Sequence, residues 1–156
     1  MAGSLYKIHD VLKSYDIPFL IIGGFAVNFH GYIRGTEDAD IIFLRSVLSE
    51  KALFKALESI NSYWIGDEKD PASGLEKTFP VSLSFIRTAN LMMLGTDFGF
   101  LDIYDYVPGY PRLDPRKIFN SSLESGGFKY VDKAWLLKRK RAAGRPKDLL
   151  DIENLS

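Results

Sequence analysis

Cysteine is absent from this sequence of 156 residues, which excludes disulfide bonds and thiolate metal sites. Long apolar runs are absent as well, so no segment reaches the roughly 20 residues that a membrane-spanning helix needs. The N-terminal stretch MAGSLYKIHD lacks the apolar centre of a secretory signal peptide. The sequence therefore predicts a cytoplasmic protein with no membrane partner.

The chain also has no net charge, because 20 basic and 20 acidic residues cancel. Overall charge thus argues for no polyanionic partner. The distribution is less even, since residues 129–147 carry eight Lys or Arg and a single acidic residue, Asp132. Such a run is either the solvated face of a helix or the electrostatic footprint of a triphosphate or a nucleic acid. The sequence alone leaves both interpretations open.

What the sequence does contain is typical of a globular domain. Apolar residues make up 46% of it and aromatic residues 13%. The length suits one domain with its own core, and we expect residues 1–156 to form it. Within that domain, residues 1–107 are expected to supply a core of sheet and helices. Residues 108–156 are expected to supply a helical C-terminal segment.

One segment, residues 19–44, combines two apolar runs with glycine and acidic residues. The runs Phe19–Ile22 and Ile41–Leu44 are short enough for buried strands. Gly23 and Gly24 break the first run, and a short helix can follow them. A glycine pair between a strand and a helix lets backbone N–H groups approach a phosphate closely. The segment therefore predicts a phosphate cradle.

Asp38 and Asp40 lead directly into the second apolar run. Residues at i and i+2 of a strand point to the same face, so these two carboxylates are expected to lie side by side. Like charges in such a place raise each other's pKa values and cost free energy unless a cation neutralises them. Oxygen ligands suit hard cations such as Mg²⁺, which takes further ligands from phosphate. The pair therefore predicts a metal site beside the phosphate cradle.

The order of these residues resembles the signature of the DNA polymerase beta-like nucleotidyltransferase superfamily. The string G-G-x-A…H-G…R-x-T-x-D-x-D is formed by Gly23, Gly24, Ala26, His30, Gly31, Arg34, Thr36, Asp38 and Asp40. This form is similar to small bacterial and archaeal nucleotidyltransferases of the abortive-infection and toxin–antitoxin types. Bland alternatives remain open: plain turns at the glycines, a surface ion pair between Arg34 and Asp38, and a His30 that only packs under the glycine turn.

The resemblance implies a third carboxylate on a strand beside Asp38 and Asp40. Residues 90–107 predict two strands with a turn at Gly95–Asp97. Asp102 then lies inside an apolar strand, where a carboxylate needs a partner. We therefore expect Asp102 to complete the metal site. Asp105, on the opposite face of the same strand, is the competing candidate.

Residues 140–151 resemble the K-x-x-x-x-R-x-K-D-x-x-D pattern of toxin-type members of the superfamily. That resemblance implies that Lys140, Arg145 and Lys147 bind the triphosphate. Residues of the first motif complete the nucleotide-binding set: Gly23, Gly24, Arg34 and Thr36. Asp148 and Asp151 have an alternative, structural role, in which they hold Arg145 or Lys140 in place.

A group of aromatic residues precedes the C-terminal segment, namely Tyr104, Tyr106 and Tyr110, with Arg112 nearby. Stacked aromatic and guanidinium groups can hold a nucleic-acid base. The same residues are also compatible with an ordinary sheet surface, and the sequence favours this second interpretation.

The other elements follow from periodicity and turn residues. Helices are expected over residues 4–15, from Ser46 or Ser49 to Ile60 with Leu48 on its buried face, over 114–123, and as a pair within 132–155. Residues 61–78 predict a turn-rich loop, either a mobile surface loop or one that borders a cleft. Residues 79–86 are compatible with a strand or a helix, and residues 128–131 predict a brief strand. The resulting fold class is α/β (α+β), a nucleotidyltransferase fold with a mixed β-sheet, flanking helices and a C-terminal helical hairpin.

By resemblance, the protein is a metal-dependent nucleotidyltransferase that moves a nucleoside monophosphate from a nucleoside triphosphate such as ATP to an acceptor hydroxyl. The resemblance implies two Mg²⁺ ions, with Mn²⁺ as a substitute, held by Asp38, Asp40 and Asp102. It also implies an RNA or tRNA end or a protein as acceptor, and a cognate toxin or antitoxin as partner. The alternative is a non-catalytic module that binds nucleotide or a partner protein through a degenerate form of the same fold.

Overall fold

The computed structural model describes residues 2–155 of the chain. Within these residues the helices are α1 (Ala2–Ser14), α2 (Gly24–Phe29), α3 (Val47–Ser59), α4 (Leu83–Thr88), α5 (Pro115–Asn120), α6 (Lys133–Ala143) and α7 (Pro146–Leu155). The strands are β1 (Phe19–Ile22), β2 (Asp38–Phe43), β3 (Tyr63–Lys69), β4 (Glu76–Pro80), β5 (Leu91–Thr96), β6 (Gly99–Tyr104), β7 (Leu123–Ser125) and β8 (Phe128–Tyr130).

These strands join one sheet in the order β4-β3-β5-β6-β2-β1-β8-β7. Strand β2 runs parallel to β6, and β1 runs parallel to β8, whereas the other neighbouring strands are antiparallel. The predicted mixed sheet with flanking helices and two C-terminal helices is therefore confirmed. No helix in residues 2–155 has the length and apolar character needed to cross a bilayer.

The two faces of the sheet are covered by different helices, and alternation along β1 shows the division. Ile21 belongs to a core cluster shared with α1, α3 and α4, and we call this side the back face. Leu20 and Ile22 belong to a second cluster, which includes Ile42 of β2 and residues of α2, α5, α6 and α7. We call this second side the front face. Burying each such side chain contributes roughly 1.5–3 kcal/mol.

Side-chain caps explain where several helices begin. Ser46 caps α3 by accepting a hydrogen bond from the Ser49 backbone N–H at 3.0 Å, and the Ser49 hydroxyl accepts one from the Ser46 N–H at 2.7 Å. Asp114 caps α5, and Asp132 caps α6 through the Trp135 N–H at 2.8 Å. Each cap stabilises its helix by about 1 kcal/mol. Of the two starting points that the sequence left open for α3, Ser46 is the one that caps the helix. The helices expected from residues 114 and 132 begin directly after those residues.

The prediction of a loop over residues 61–78 is wrong. Strands β3 and β4 form an antiparallel hairpin at one edge of the sheet, with Trp64 and Phe79 stacked at 4.4 Å. The second half of β3 and all of β4 are largely exposed. An edge strand of this kind has no buried face to impose an alternating apolar pattern, so the sequence carried turn and charge signals instead.

Smaller differences concern element ends. The undecided stretch 79–86 contains the end of β4 and most of the helix α4. The β5–β6 turn lies at Asp97 and Phe98 rather than at Gly95–Asp97. Helix α5 ends at Asn120, because β7 begins at residue 123. Leu48 is exposed rather than buried, since it lies on the solvent side of the first turn of α3, whose other side buries Ser49 and Glu50.

Candidate active site

Three carboxylates share the front face of the sheet where β2 and β6 pair. Asp40 is the register partner of Asp102, and Asp38 is the partner of Phe100. Neighbouring strands lie about 4.8 Å apart, so the side chains of Asp40 and Asp102 stand next to each other. Asp38 stands two residues before Asp40 on the same face. The fold thus brings together the three acidic residues that the sequence singled out.

Asp105, the competing candidate, is engaged elsewhere. Its Oδ2 accepts a hydrogen bond from Arg45 Nε at 2.9 Å and another from Asn90 Nδ2 at 2.9 Å. Arg45 also forms an ion pair with Glu50 at 2.7 Å. The Asp105 carboxylate is therefore satisfied by protein groups, unlike the carboxylates of the front-face cluster.

Proximity and burial change the protonation of this cluster. Burial, the charges of Asp102 and Asp38 and a hydrogen bond with Asp102 raise the pKa of Asp40 to about 7, although the charge of Arg139 lowers it. Burial and the charge of Asp38 raise the pKa of Asp102, while the hydrogen bond from Asp40 lowers it. Without a cation, the pair of Asp40 and Asp102 therefore keeps a proton to a higher pH than an ordinary carboxyl group does. A cation at this position would relieve the repulsion.

Gly23 and Gly24 make room for side chains of the site. Gly23 has a φ of +72°, and a Cβ atom there would collide with the Asp40 carboxyl group. A Cβ atom on Gly24 would collide with the side chain of Thr36. The glycine pair is thus required for close packing of the β1–α2 turn against β2 and the loop before it, whatever its backbone binds.

A buried ion network joins the C-terminal helices to the loop before β2. Lys140 Nζ lies 2.7 Å from Asp151 Oδ2 and 3.3 Å from Asp148 Oδ1. Arg34 donates to both oxygens of Asp151 at 2.8 Å. Arg145 donates to both oxygens of Asp148, at 2.6 and 3.2 Å. Asp148, Asp151 and Lys140 are all buried.

The network settles how these charged side chains are held. Burial raises the pKa of Asp148, but hydrogen bonds and charges from Arg145 and Lys140 bring it below its usual range. Asp148 and Asp151 thus have the structural role that the sequence left open, and the Lys140 ammonium is bound by both of them. Arg145 keeps 62% of its side chain exposed, so its guanidinium remains accessible to a ligand.

A cleft of about 360 Å³ is lined by every residue that the sequence assigned to the site: Gly23, Gly24, Arg34, Thr36, Asp38, Asp40, Asp102, Lys140, Arg145 and Lys147. The strands β2 and β6 supply the acidic side of the cleft. The segment from α6 to the start of α7 supplies the basic side. The juxtaposition is a geometric finding, and the roles of these residues stay predictions.

Arg139 is a cleft residue that the sequence analysis did not single out. Its Nε atom is buried and, within residues 2–155, has no hydrogen-bond partner. Burial lowers the pKa of Arg139, whereas the charge of Asp40 raises it. In the sequence, Arg139 looks like the other basic residues of the run 129–147. Helix α6 buries Leu136 and Lys140, and this orientation of the helix turns Arg139 inwards.

Three other candidate side chains are placed differently. Tyr104 lines the cleft, and burial together with the charges of Asp40 and Asp102 raises its pKa to about 12. Tyr110, from the same predicted aromatic group, instead packs edge-to-face against Trp135 at 5.5 Å. His30 Nε2 lies 2.7 Å from the carbonyl oxygen of Val131, so this histidine ties α2 to the end of β8.

The chemistry of the donor set fits a hard divalent cation, because the cluster offers carboxylate oxygens alone. The raised pKa of Asp40 marks a charge that Arg139 compensates only in part. Among residues 2–155, no three Asp, Glu, His or Cys side chains already converge as a ready-made ligand set. A cation at Asp40 and Asp102 would therefore have to draw Asp38 in by a side-chain adjustment.

This architecture is the nucleotidyltransferase fold, and solved structures resemble it over nearly the whole chain. The lincosamide antibiotic adenylyltransferase LnuA, bound to lincomycin, matches with a TM-score of 0.65 and 19% identity over 99% of this chain and 96% of its own. The antibiotic-resistance factor ANT(2'')-Ia matches with a TM-score of 0.59 and 14% identity, over 99% of this chain and 81% of its own.

An antigenic nucleotidyltransferase-like protein from Paracoccidioides brasiliensis matches with a TM-score of 0.55 and 18% identity, over 99% of this chain and 74% of its own. No protein-family model and no curated protein sequence matches the chain. At these identities the likeness establishes the fold, and the chemistry has to be argued from the site.

Proposed function

We propose that this protein is a metal-dependent nucleotidyltransferase, which transfers a nucleoside monophosphate from a nucleoside triphosphate to an acceptor hydroxyl. The observation that carries the proposal is the pairing of Asp40 with Asp102 on adjacent parallel strands, with Asp38 on the same face. Partly buried carboxylates placed side by side cost free energy without a cation. A cation site that faces the basic side of the cleft suits a metal-bound nucleoside triphosphate, and ATP is the expected one.

The two sides of the cleft divide the work by charge. Asp38, Asp40 and Asp102 would hold Mg²⁺ or Mn²⁺. When bound, such ions neutralise phosphate oxygens and lower the pKa of the acceptor hydroxyl. Arg145 and Lys147 would bind the triphosphate from the basic side.

Five further residues complete the proposed nucleotide-binding site: Lys140, Gly23, Gly24, Arg34 and Thr36. Lys140 adds its charge to the basic side while Asp148 and Asp151 hold its ammonium group. Arg34, anchored on Asp151, fixes the loop that carries Thr36. Gly23 and Gly24 would let the β1–α2 turn approach the phosphates.

The transfer itself exchanges one phosphorus–oxygen bond for another. The acceptor oxygen bonds to the α-phosphorus, and the bond from that phosphorus to the oxygen bridging to the β-phosphorus breaks. Pyrophosphate leaves with the electron pair, and the hydroxyl proton is released. The guanidinium and ammonium groups of the basic side stabilise the negative charge that gathers on the leaving pyrophosphate.

The acceptor is proposed at two levels. The sequence resemblance supports an RNA or tRNA end or a protein, with a cognate toxin or antitoxin as partner. The matches to LnuA and ANT(2'')-Ia, which are an antibiotic adenylyltransferase and an antibiotic-resistance factor, support a small hydroxyl compound. One assay that offers all these acceptors separates them.

The test is label transfer. The protein is incubated with each α-labelled nucleoside triphosphate, Mg²⁺ and an acceptor panel of total RNA, soluble cell protein, lincomycin and an aminoglycoside. The Asp38→Asn/Asp40→Asn variant runs in parallel, with Asp67→Asn/Glu68→Gln on the largely exposed second half of β3 as the matched control. Label that reaches one acceptor with the wild type and the control variant, but not with the site variant, supports the proposal.

A different result favours the alternative function. If Mg²⁺-dependent triphosphate binding is measurable but no acceptor receives label, the non-catalytic nucleotide-binding module becomes the better description. If the Asp38→Asn/Asp40→Asn variant transfers label as fast as the wild type, the carboxylates are not catalytic and the proposal fails.

A further inference from the structure

The front face of the sheet is covered by helices over only part of its width. Residues of α2, α5, α6 and α7 pack on it where β1 and β2 lie. Over β3, β5 and the start of β6, apolar side chains on the front face are open to solvent: Ile65 is 36% exposed, Leu91 37%, Met93 59% and Phe100 51%. By contrast, Met92 and Leu94 point to the back face and are buried. We call Tyr63, Ile65, Leu91, Met93 and Phe100 the apolar platform.

Strand register places the platform directly beside the carboxylates. Met93 is the partner of Asp102, and Phe100 is the partner of Asp38. One strand spacing, about 4.8 Å, therefore separates an apolar side chain from each of these acids. Platform and carboxylates form one continuous surface on the same face of the sheet.

Gly95 extends this surface towards β3. It pairs with both Phe100 and Tyr63, and a Cβ atom at Gly95 would collide with the Tyr63 ring. Because Gly95 has no side chain, the ring lies across its strand and fills the space between β5 and β3. The platform thus spans three strands without a gap.

The opposite approach to the carboxylates is already taken. On the β1 side, the segment from α6 to the start of α7 closes over the cleft with Arg139, Lys140 and Arg145. Those cations suit a triphosphate. An acceptor hydroxyl has to reach the same carboxylates from a different direction, and the platform is the uncovered sheet surface that borders them.

We propose that the apolar platform binds the acceptor, and that the acceptor is an uncharged molecule with an apolar body and a reactive hydroxyl. The inference rests on the proposed function and deepens it. Platform residues offer no Lys or Arg for the phosphates of RNA, which dominate nucleic-acid affinity. They carry no carboxylate for a polycation either, and the acids at the border of the platform are the ones assigned to the metal. Charge complementarity therefore selects a neutral ligand.

A second copy of the chain is the competing occupant. A stable protein interface buries about 800 Å² and roughly 20–30 residues on each partner. The platform comprises five residues, which is the scale of a small-molecule site. A surface that continues into the carboxylates would bring an acceptor hydroxyl to them, whereas a dimer contact has no need to adjoin them.

Methyl β-glucoside and octyl β-glucoside, the latter below its micelle concentration, test the proposal. They present the same ring hydroxyls and differ in the length of the apolar tail. Binding is followed by NMR of ¹³C-methyl methionine with Mg²⁺ and a non-hydrolysable triphosphate present. The Met93 signal should shift with the octyl compound and the Met92 signal should move far less. The octyl compound should bind at least ~10-fold tighter, because each buried CH₂ adds apolar area.

The matched variants are Leu91→Gln/Met93→Gln on the platform and Val47→Gln/Leu48→Gln, an exposed apolar pair at the start of α3. The platform variant should lose at least ~10-fold in octyl glucoside affinity, and the control variant should lose none. Triphosphate binding should stay within twofold of wild type in both. With any neutral acceptor found by label transfer, the platform variant should raise KM at least ~10-fold at unchanged kcat.

Other outcomes overturn the inference without touching the proposed function. Equal affinity for the two glucosides, or an unmoved Met93 signal, removes the apolar acceptor site. Label transfer to RNA at wild-type rates by the platform variant also removes it. A dimer in sedimentation that the platform variant abolishes would assign the surface to self-association. Loss of transfer in the Asp38→Asn/Asp40→Asn variant still tests the nucleotidyl chemistry separately.

Discussion

Arg34 and Asp151 connect the loop before β2 to the last helix through two hydrogen bonds of 2.8 Å. Asp151 is buried, and it also accepts a bond of 2.7 Å from Lys140 of α6. One carboxylate therefore fixes both C-terminal helices against the loop that leads into β2, the strand of Asp38 and Asp40. The distance between the acidic and basic sides of the cleft depends on this contact.

Asp151→Asn should destabilise the fold by about 3 kcal/mol at pH 7, because it leaves two cations with a buried neutral partner. Burial raises the pKa of Asp151, but hydrogen bonds from Arg34 and Lys140 bring it below its usual range. A lowered pKa gives stability that is present above the ordinary carboxyl pKa of 3.8 and is lost as the pH falls through the lowered value.

Urea denaturation at several pH values measures this difference. The gap between wild type and Asp151→Asn should narrow as the pH falls below 3.8. Asp67→Asn, on the exposed part of β3, is the control and should change stability by less than about 0.5 kcal/mol. A loss at Asp151 no larger than the control would show that the network contributes nothing to stability.

Asp40→Asn should have the opposite sign. The pKa of Asp40 is raised to about 7 from 3.8, so its contribution to stability is fully present below pH 3.8 and is lost as the pH rises through 7. Asn does not titrate, so the Asp40→Asn variant does not lose this stability as the pH rises. In EDTA at pH 8 the variant should be more stable than wild type by about 2 kcal/mol, roughly half of what such a shift represents, because Asp102 shares it.

The same variant should abolish nucleotidyl transfer, and its stability advantage should vanish near pH 4. Asp105→Asn is the matched control, since it removes a carboxylate that Arg45 and Asn90 hold. It should destabilise the protein while leaving triphosphate binding unchanged. An Asp40→Asn protein that is less stable than wild type at pH 8 would mean that the carboxylates do not repel each other.

The sequence was sufficient for the centre of the sheet, because the chemistry there leaves few choices. The apolar run before Gly23 and the one after Asp40 are short enough for buried strands. Side chains alternate between the two faces of a strand, which places Asp38 and Asp40 on one face. Asp102 was predicted from the resemblance, which implies a third carboxylate, together with its place in an apolar strand, where a carboxylate needs a partner. Its register with Asp40, however, depends on how β6 joins β2, which local sequence does not encode.

The parts that the sequence did not predict lack a local signal of their own. The β3–β4 hairpin pairs two largely exposed strands, so no alternating pattern marks it. Arg139 differs from Arg141 only in the direction in which α6 presents it. Met93 and Met92 are adjacent in the chain, and only the pleat of β5 makes one buried and the other exposed.

Gly23→Ala should damage both stability and activity. Gly23 has a φ of +72°, which an L residue rarely adopts, and a Cβ atom there would meet the Asp40 carboxyl group. We expect a loss of about 1–3 kcal/mol in unfolding free energy and at least a tenfold loss of transfer, because Asp40 has to move. Gly35 lines the same cleft with open space around its Cβ position, so Gly35→Ala should be tolerated. Equal behaviour of the two variants in urea and transfer assays would refute the packing role.

Arg139→Met should weaken triphosphate binding with little loss of stability. The Arg139 Nε is buried beside the cleft with no hydrogen-bond partner among residues 2–155, so the fold makes no use of this donor, and the guanidinium contributes to it only through the attraction to nearby charges such as Asp40. A phosphate oxygen would supply the missing acceptor. We expect a loss of about tenfold in affinity for the Mg²⁺-bound triphosphate, which corresponds to one charge-assisted hydrogen bond.

Arg141→Met, two residues further along α6 and exposed, is the matched control and should bind the triphosphate like wild type.

The charge of Arg139 also lowers the pKa of Asp40. Its removal should therefore move the pH midpoint for Mg²⁺ binding upwards, because Asp40 has to lose its proton first. Titration of labelled triphosphate and of Mg²⁺ between pH 6 and 9 measures both effects. An Arg139→Met protein that unfolds more easily but binds the triphosphate as tightly as wild type would assign Arg139 to the fold and not to the substrate.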